Sequence, residues 1–241
     1  ESYFDVYDKY FSQFIGKNIT FVEIGIFGGG SLFMWRSFFG DQARIIGIDL
    51  DENAKKWQEH GFEIFIGDQS CPSFWSDFFK EVGEVDVILD DGGHTYEQQI
   101  VTAMSSMKNI KDGGLLMVED VHTSFMKEFG FPSKYTFVEW AKSKIIDLNS
   151  RFTEASLPHT FFTKNVESIH FHESIVVFSM NKDIQDNSWI ENNGLADSAK
   201  DLRHEKSTVG HITRLIKMIL LKYPYLLQNR YCETFLRFAQ R

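Results

Sequence analysis

Acidic residues and a histidine follow two apolar runs of strand length in this sequence. Asp91 and His94 come at or just after the end of "VDVILDD", and "GLLMVED" ends in Glu119 and Asp120. Neighbouring parallel strands lie about 4.8 Å apart, so acids at their carboxyl ends can converge on one cation. Three carboxylates form a hard oxygen site, which prefers Mg²⁺, Mn²⁺ or Ca²⁺ to zinc. His94 adds a base that titrates near neutral pH.

A structural role is the alternative for these residues. Asp90 and Asp91 would then cap the following helix, and His94 would be an ordinary loop histidine. Capping does not predict a second acid pair on the next strand, so we favour the functional role for Asp91 and His94. For Asp90 we expect a structural or cofactor-side role.

A glycine-rich turn, "VEIGIFGGGSLFMW", links an apolar run to a stretch of helical period and brings backbone N–H groups close to a ligand. The nicotinamide fingerprint, G-x-G-x-x-G, requires its second glycine where Phe27 stands. This departure argues against a NAD-linked oxidoreductase. The pattern that is present reads Glu23-x-Gly25-x-x-x-Gly29.

Two further acids follow the next two apolar runs. Asp49 lies 24 residues after Gly25, where a carboxylate can accept hydrogen bonds from both hydroxyls of a ribose. Asp68 lies in "GDQS". Polar residues are common in loops at strand ends, so each position alone is weak evidence. Their order along one edge of a sheet favours cofactor binding.

Apolar runs alternate with stretches of helical period, which predicts a parallel sheet covered by helices on both faces. The predicted strands are 19–25, 43–50, 62–67, 85–91 and 114–120, and the predicted helices are about 30–38, 52–60, 73–81 and 95–109, with another in "YTFVEWAKSKIIDLNSRF". "SIHFHESIVVFSM" contains two β-rich runs that are too close together for a right-handed crossover, so it predicts an antiparallel hairpin. The expected fold is α/β, a doubly wound, mostly parallel seven-stranded sheet with a terminal antiparallel hairpin and a helical C-terminal tail.

The glycine pattern resembles motif I of class I S-adenosylmethionine (SAM)-dependent methyltransferases. In that family the glycines make room for the methionine part of the cofactor, and an acid at the place of Asp68 faces the adenine amino group. The resemblance therefore implies SAM as the cofactor. The predicted cofactor-binding residues are Glu23, Gly25, Gly29, Ser31, Asp49, Asp68, Gln69 and Asp90.

The pattern Asp91-x-x-His94, with Glu119-Asp120 after the next strand, resembles the metal-dependent sugar O-methyltransferases of the mycinamicin type. The resemblance covers about residues 15 to 180. It implies that the three acids hold Mg²⁺ or Mn²⁺ and that His94 is the general base, whereas catechol-type enzymes have a lysine at the place of His94. His122 also matches the family's continuation, and contact with substrate, support of the metal site and a plain loop role stay open for it.

The composition indicates one main domain with an appendage, because 241 residues with 43% hydrophobic residues can bury one substantial core. The net charge of −9 argues against a nucleic-acid partner. Cys71 and Cys232 are too few and too far apart for a disulfide framework, which favours a cytoplasmic location. No apolar run reaches the roughly 18 to 20 residues of a transmembrane segment. The sequence begins at Glu1 without Met, which is consistent with a missing native N-terminus.

The predicted domains are a methyltransferase domain at 1–182 and a basic, helical C-terminal extension at 183–241. From Arg203 onward the sequence has eight Lys and Arg residues against two acids. Five apolar residues fall on one helical face of this tail, namely Val209, Ile212, Leu215, Ile216 and Ile219. We expect this face to pack on its own domain or to form a homo-oligomer contact, and contact with an anionic membrane is the alternative.

The leading hypothesis is a SAM-dependent, divalent-metal-dependent O-methyltransferase. Its partner would be a small-molecule or glycan acceptor, such as the hydroxyl of a sugar or another polyhydroxylated metabolite. The second hypothesis is a non-catalytic partner subunit that keeps the SAM-binding fold and docks through its basic tail. The presence of His94, Glu119 and Asp120 argues against it, as Phe27 argues against a NAD-linked oxidoreductase.

Overall fold

The computed structural model describes residues 3–130, 133–150 and 160–184, together with Leu215. The chain divides into two units, residues 1–184 and 185–241. The predicted helical tail and its oligomer contact therefore lie outside the described residues, apart from Leu215. Within the described part, no helix is both long enough and apolar enough to cross a membrane.

Seven strands form one sheet. They are β1 (Thr20–Ile24), β2 (Arg44–Asp49), β3 (Glu63–Ile66), β4 (Val85–Asp90), β5 (Ile110–Val118), β6 (Val166–Phe171) and β7 (Val176–Met180). Their spatial order is β3-β2-β1-β4-β5-β7-β6. The first five strands pair in parallel, and β7 runs antiparallel to both β5 and β6. The predicted doubly wound sheet with a terminal antiparallel hairpin is confirmed.

Helices cover both faces of this sheet. They are α1 (Tyr3–Phe11), α2 (Gly30–Phe39), α3 (Pro72–Val82), α4 (Tyr96–Ser106), α5 (Phe137–Asn149) and α6 (Phe161–Asn165), and 3₁₀ segments lie at Ser12–Phe14, Glu52–His60, Met107–Asn109, Val121–Phe125 and Lys127–Phe129. The first two helices pack on one face, and α3, α4 and α5 pack on the other.

The core beneath the glycine-rich turn is aromatic. Side chains alternate along β1, so Phe21 faces α1 and α2 while Val22 faces the opposite layer. Phe21 lies 4.9 Å from both Trp35 and Phe39 between ring centroids. Large aromatic side chains bury much apolar area with few rotatable bonds, so packing of this cluster supports the turn.

Five elements differ from the sequence prediction. β5 begins at Ile110, earlier than the predicted residue 114, and its register with β4 shifts between Val85 and Val87. The predicted helix at 52–60 is a 3₁₀ helix, and the helix predicted at 95–109 is an α-helix only from Tyr96 to Ser106. Helices α1 and α6 have no counterpart in the prediction.

Candidate active site

Three potential metal ligands meet at the carboxyl ends of β4 and β5. Asp91, His94 and Asp120 each offer one ligand atom, and these atoms all lie within 4.8 Å of one another. His94 Nε2 is 3.7 Å from Asp120 Oδ2 and 4.0 Å from Asp91 Oδ1. All three residues are half-buried, so a small molecule can reach them from solvent.

The backbone that carries these side chains is locally strained. His94 has φ 58° and Asp120 has φ 52°, a left-handed region that non-glycine residues seldom adopt. The Thr123 hydroxyl lies 2.9 Å from the His94 carbonyl oxygen and 2.7 Å from that of Asp120, so it joins the two strained residues.

Helix α4 is capped by Thr95, which forms a capping box with Gln98. The alternative that Asp90 and Asp91 cap this helix is therefore wrong.

Glu119 has a different environment from the other two predicted metal ligands. Its side chain is buried with 2% exposure, and the Tyr7 hydroxyl donates a hydrogen bond to Oε1. The structure brings Asp91 and Asp120 together with His94 in one potential ligand group, and Glu119 lies beside that group. Its role as a metal ligand stays a prediction.

The acids at this edge repel one another. Burial and the nearby charge of Asp120 raise the pKa of Asp91 to about 7. Burial is also the main cause that raises the pKa of Glu119 to about 8, against the lowering effect of the Tyr7 hydrogen bond. Acids with raised pKa values that share one site favour a bound cation, because a cation compensates their mutual repulsion.

His94 is held in its neutral form by its surroundings. Burial lowers its pKa, although the charge of Asp120 partly opposes this. Its ring packs edge-on against Phe129 at 6.2 Å between centroids. Nδ1 is buried and has no hydrogen-bond partner among the described residues. A neutral imidazole with Nε2 facing the acids can accept a proton or bind a metal.

The predicted cofactor residues at the ends of β2 and β3 are engaged with loop backbone. Asp49 Oδ2 accepts from the Phe27 N–H at 3.1 Å, and Oδ1 accepts from the Asp51 N–H at 2.9 Å. Asp49 thereby ties the glycine-rich turn to the end of β2. Asp68 Oδ1 accepts from the Ser70 N–H and the Ser70 hydroxyl.

Close backbone approach explains two glycines of the sequence motifs. A Cβ on Gly25, which has φ 85°, would lie 2.2 Å from the Asp91 carbonyl oxygen. A Cβ on Gly92 would lie 1.9 Å from Gln69 Oε1. Gly25 thus lets the turn after β1 pass directly beside the acid that follows β4, and any residue with a side chain would separate them.

Four predicted cofactor residues, Glu23, Ser31, Gln69 and Asp90, make hydrogen bonds inside the helical layers. The buried Glu23 accepts from Ser31 Oγ at 2.8 Å and from Trp35 Nε1 at 2.9 Å, which anchors the start of α2. Gln69 donates to Asp90 Oδ1 at 2.8 Å, and its Oε1 accepts from the Gly93 N–H at 2.9 Å. These contacts support the loops, and direct contact with a cofactor stays a prediction.

Gly29, a predicted site residue, directly precedes α2 and packs against the Trp57 ring.

His122, whose role the sequence left open, lies next to the acid cluster. Its Nδ1 is hydrogen-bonded to Ser174 Oγ and is 3.8 Å from Asp120 Oδ1. His122 therefore contacts the surroundings of Asp120.

A sequence model described as a methyltransferase domain matches residues 22–121, which contain the glycine-rich turn and both acid-bearing strand ends. The chain carries a methyltransferase domain. Its fold also matches MycE, a methyltransferase from the mycinamycin biosynthetic pathway solved with Mg and SAH, with a TM-score of 0.69 and 23% identity over 73% of this chain and 49% of MycE. A MycE complex that also holds mycinamycin VI has the same TM-score at 20% identity, over 88% of this chain and 54% of that one.

Curated relatives of this methyltransferase domain are named as O-methyltransferases. The 8-demethyl-8-α-L-rhamnosyl tetracenomycin-C 2′-O-methyltransferase of Streptomyces olivaceus is 30% identical over 72% of this chain and 49% of its own length. The mycinamicin VI 2″-O-methyltransferase of Micromonospora griseorubida is 29% identical over 52% of this chain and 32% of its own length. The chain thus spans between a third and a half of the length of these relatives.

Several residues of the candidate site had no sequence signal that assigned them to it. Tyr3, Tyr7 and Ser174 contact the acids or His122 from distant parts of the chain, and Thr123 joins the strained residues. Tyrosines four positions apart in α1 indicate a packed helix face. Nothing local identifies the acceptor of each hydroxyl, because the Tyr3–Asp120 pair spans 117 positions.

Proposed function

We propose that this protein is a SAM-dependent, divalent-metal-dependent O-methyltransferase that acts on a hydroxyl of a sugar or another polyhydroxylated metabolite. The observation that carries the proposal is the convergence of Asp91, His94 and Asp120 at the carboxyl ends of β4 and β5. In a doubly wound sheet this edge is where ligands bind. The methyltransferase domain supplies the reaction class, and the acid cluster supplies the metal requirement.

The donor set fits Mg²⁺ or Mn²⁺. Asp91 and Asp120 would hold the ion through carboxylate oxygens, and Glu119 would add a third acid beside them. Hard divalent cations prefer oxygen ligands and keep positions for substrate oxygens or water. When bound, such a cation would polarise the acceptor hydroxyl and make its proton easier to remove.

His94 would accept that proton on Nε2. Burial keeps the imidazole neutral near pH 7, so it has a free lone pair when the acceptor arrives. When bound, SAM would supply a methyl group on a sulfonium, which the acceptor oxygen would take as its proton passes to His94, and S-adenosylhomocysteine would be released as the neutral thioether.

The cofactor would lie over the turn between β1 and α2, with its ribose near Asp49 and its adenine near Asp68. Gly25 brings this turn beside Asp91, so a methyl group above the turn would be close to the acid cluster. The Asp49 carboxylate already anchors the turn through the Phe27 N–H. The same acid would thus fix the loop and accept from the cofactor.

An Asp49→Ala variant should bind SAM more weakly by about 1 to 3 kcal/mol, because the ribose hydroxyls and the turn lose a charged acceptor. Isothermal titration calorimetry measures this change. Asp51→Ala is the matched control, since it removes the neighbouring acid, which accepts from the Asn53 N–H. Equal SAM affinity in Asp49→Ala and wild type would disprove the assignment of the ribose to this edge.

The acceptor is proposed to be a sugar hydroxyl because one relative is named as the 2′-O-methyltransferase of a rhamnosyl tetracenomycin. Apolar side chains in the segment after Asp120 would suit the carbon face of a sugar or its carrier. Phe125 and Met126 are exposed shortly after Asp120 in the chain, and Phe129 packs on His94. The acids would bind the polar edge of the same molecule.

A thermal-shift panel tests the proposal as a whole. SAM and S-adenosylhomocysteine should each raise the melting temperature, Mg²⁺ should add a further rise, and NAD should have no effect. Transfer of a labelled methyl group from SAM to a panel of glycosides should then depend on Mg²⁺. A melting temperature that responds to NAD and not to SAM would refute the proposal.

A further inference from the structure

The N-terminal helix α1 reaches the two acids that follow β5. Tyr3 and Tyr7 are four positions apart, so they lie on one face of the helix. The Tyr3 hydroxyl donates to Asp120 Oδ1, and the Tyr7 hydroxyl donates to Glu119 Oε1. Each acid therefore has one oxygen held by a tyrosine of the same helix.

We propose that Tyr3 and Tyr7 are positioning residues of the cation site. They fix the orientation of Asp120 and Glu119 so that the second oxygen of each carboxylate faces the cation. This inference rests on the metal-dependent function proposed above. The cation site would then include contacts from α1, which lies outside the residues matched by the methyltransferase domain.

The protons around Tyr3 can be assigned from its neighbours. The Tyr3 hydroxyl has one proton and two partners, Asp120 Oδ1 and Ser174 Oγ, the latter at 2.8 Å. A carboxylate is the stronger acceptor, so Tyr3 donates to Asp120 and Ser174 donates to the Tyr3 oxygen. Ser174 can then accept from His122 Nδ1–H.

A hydrogen-bond chain results, in which His122 donates to Ser174, Ser174 to Tyr3 and Tyr3 to Asp120. Each proton is used once, and such chains strengthen their members. The chain ends on Asp120 Oδ1. It leaves Oδ2, the oxygen 3.7 Å from His94 Nε2, on the side of the acid cluster.

The Tyr7 side chain is more deeply buried than that of Tyr3. Its ring stacks on Phe11 with an interplanar angle of 5°, and it meets Trp35 edge-on at 5.1 Å between centroids. Glu119 is 2% exposed, so water reaches it poorly and the Tyr7 hydroxyl is its described side-chain donor. A buried carboxylate needs such a donor to keep a defined orientation.

Hydroxyl deletion tests the inference on the whole 241-residue chain. Tyr3→Phe, Tyr7→Phe and the double variant are titrated with Mn²⁺ by electron paramagnetic resonance, and S-adenosylhomocysteine binding is measured by calorimetry. Tyr10→Phe is the matched control, because Tyr10 lies on the same helix and its hydroxyl is 3.0 Å from His172 Nε2. Each single variant keeps its ring and loses one hydroxyl, and the double variant loses two.

The double variant should bind Mn²⁺ about 10- to 100-fold more weakly, which is the usual effect of losing partners of metal ligands. Tyr10→Phe should bind Mn²⁺ as the wild type does, and S-adenosylhomocysteine affinity should be unchanged in every variant. Saturating Mn²⁺ should restore methyl transfer in the double variant, because the substitutions raise only the Mn²⁺ concentration that the reaction requires. Tyr3 is only partly buried, so Tyr3→Phe keeps the test valid if Tyr7→Phe is unstable.

Two results would overturn the inference, and they differ from each other. If the tyrosine variants bind Mn²⁺ like the wild type and only melt earlier, α1 merely packs on the sheet. The proposed metal-dependent function then still stands. If the wild type itself binds neither Mn²⁺ nor Mg²⁺, the metal-dependent function fails and the inference fails with it.

Discussion

A His94→Ala variant should lose about two to four orders of magnitude in turnover while it keeps its fold and its affinity for SAM. The loss is expected because a sugar hydroxyl is a very weak acid and must release its proton during methyl transfer. His94 is half-buried and packs on Phe129 only at its ring edge, so its removal leaves a small cavity near solvent. Transfer of labelled methyl groups at saturating SAM and acceptor measures the change.

The metal affinity of the same variant separates two roles of His94. Its Nε2 lies 3.7 and 4.0 Å from oxygens of Asp120 and Asp91, a position that suits either a base or a ligand. Lost turnover with unchanged Mn²⁺ affinity fits the general base. A parallel loss of Mn²⁺ affinity would place His94 among the metal ligands and contradict its role as the base.

The pH dependence gives an independent check on His94. Because burial lowers its pKa, the base should be neutral above about pH 6.5, the ordinary histidine value. At saturating Mg²⁺, which keeps Asp91 and Glu119 ionised, the kcat/KM of the wild type should therefore fall only on the acid side of that value. His170→Ala is a matched control, since the described contacts of His170 are with Tyr10 and Ser168 on the far edge of the sheet.

The sheet could be predicted because its strands are continuous apolar runs at regular spacing. The hairpin could also be predicted, because the three residues "HES" between its two β-rich runs are too few for a right-handed crossover. The start of β5 was missed because Gly113 and Gly114 read as a turn, whereas Gly113 has φ 72° at the register shift opposite β4. The 3₁₀ segment at Glu52–His60 was predicted as a helix because its apolar residues Ala54 and Trp57 are three positions apart, a spacing that fits one face of either helix type.

The acid cluster could be anticipated from strand ends, but the orientation of its side chains could not. The sequence grouped Asp91 with Glu119 and Asp120, since parallel strands bring their carboxyl ends to one edge. The orientation of each carboxylate depends on its neighbours, and the Tyr7 hydroxyl in α1 holds one oxygen of Glu119. The left-handed conformation of His94 likewise depends on Thr123, which comes 29 positions later.

Loss of the metal should abolish most activity, and an Asp91→Asn variant should reproduce that loss. A cation that stabilises charge in the transition state contributes several kcal/mol, and each 1.36 kcal/mol is a factor of ten in rate. We therefore expect turnover at least about 100-fold lower, both in the variant and in wild type treated with EDTA. Excess Mg²⁺ should restore the EDTA-treated wild type and leave Asp91→Asn inactive.

Asp91→Asn should lose activity without losing stability, which distinguishes a metal ligand from a residue that holds the fold. The folded-state pKa of Asp91 is raised to about 7, so its ionised form costs stability at pH values above that and the cost fades as the pH falls toward the ordinary aspartate value. Asparagine removes this cost, so the metal-free variant should melt at or above the wild-type temperature at pH 8. Mg²⁺ should raise the melting temperature of wild type and of the surface control Asp77→Asn, which loses an ion pair with Lys80, but not that of Asp91→Asn. Methyl transfer that survives EDTA with a confirmed acceptor would contradict the metal-assisted mechanism and leave His94 to act alone.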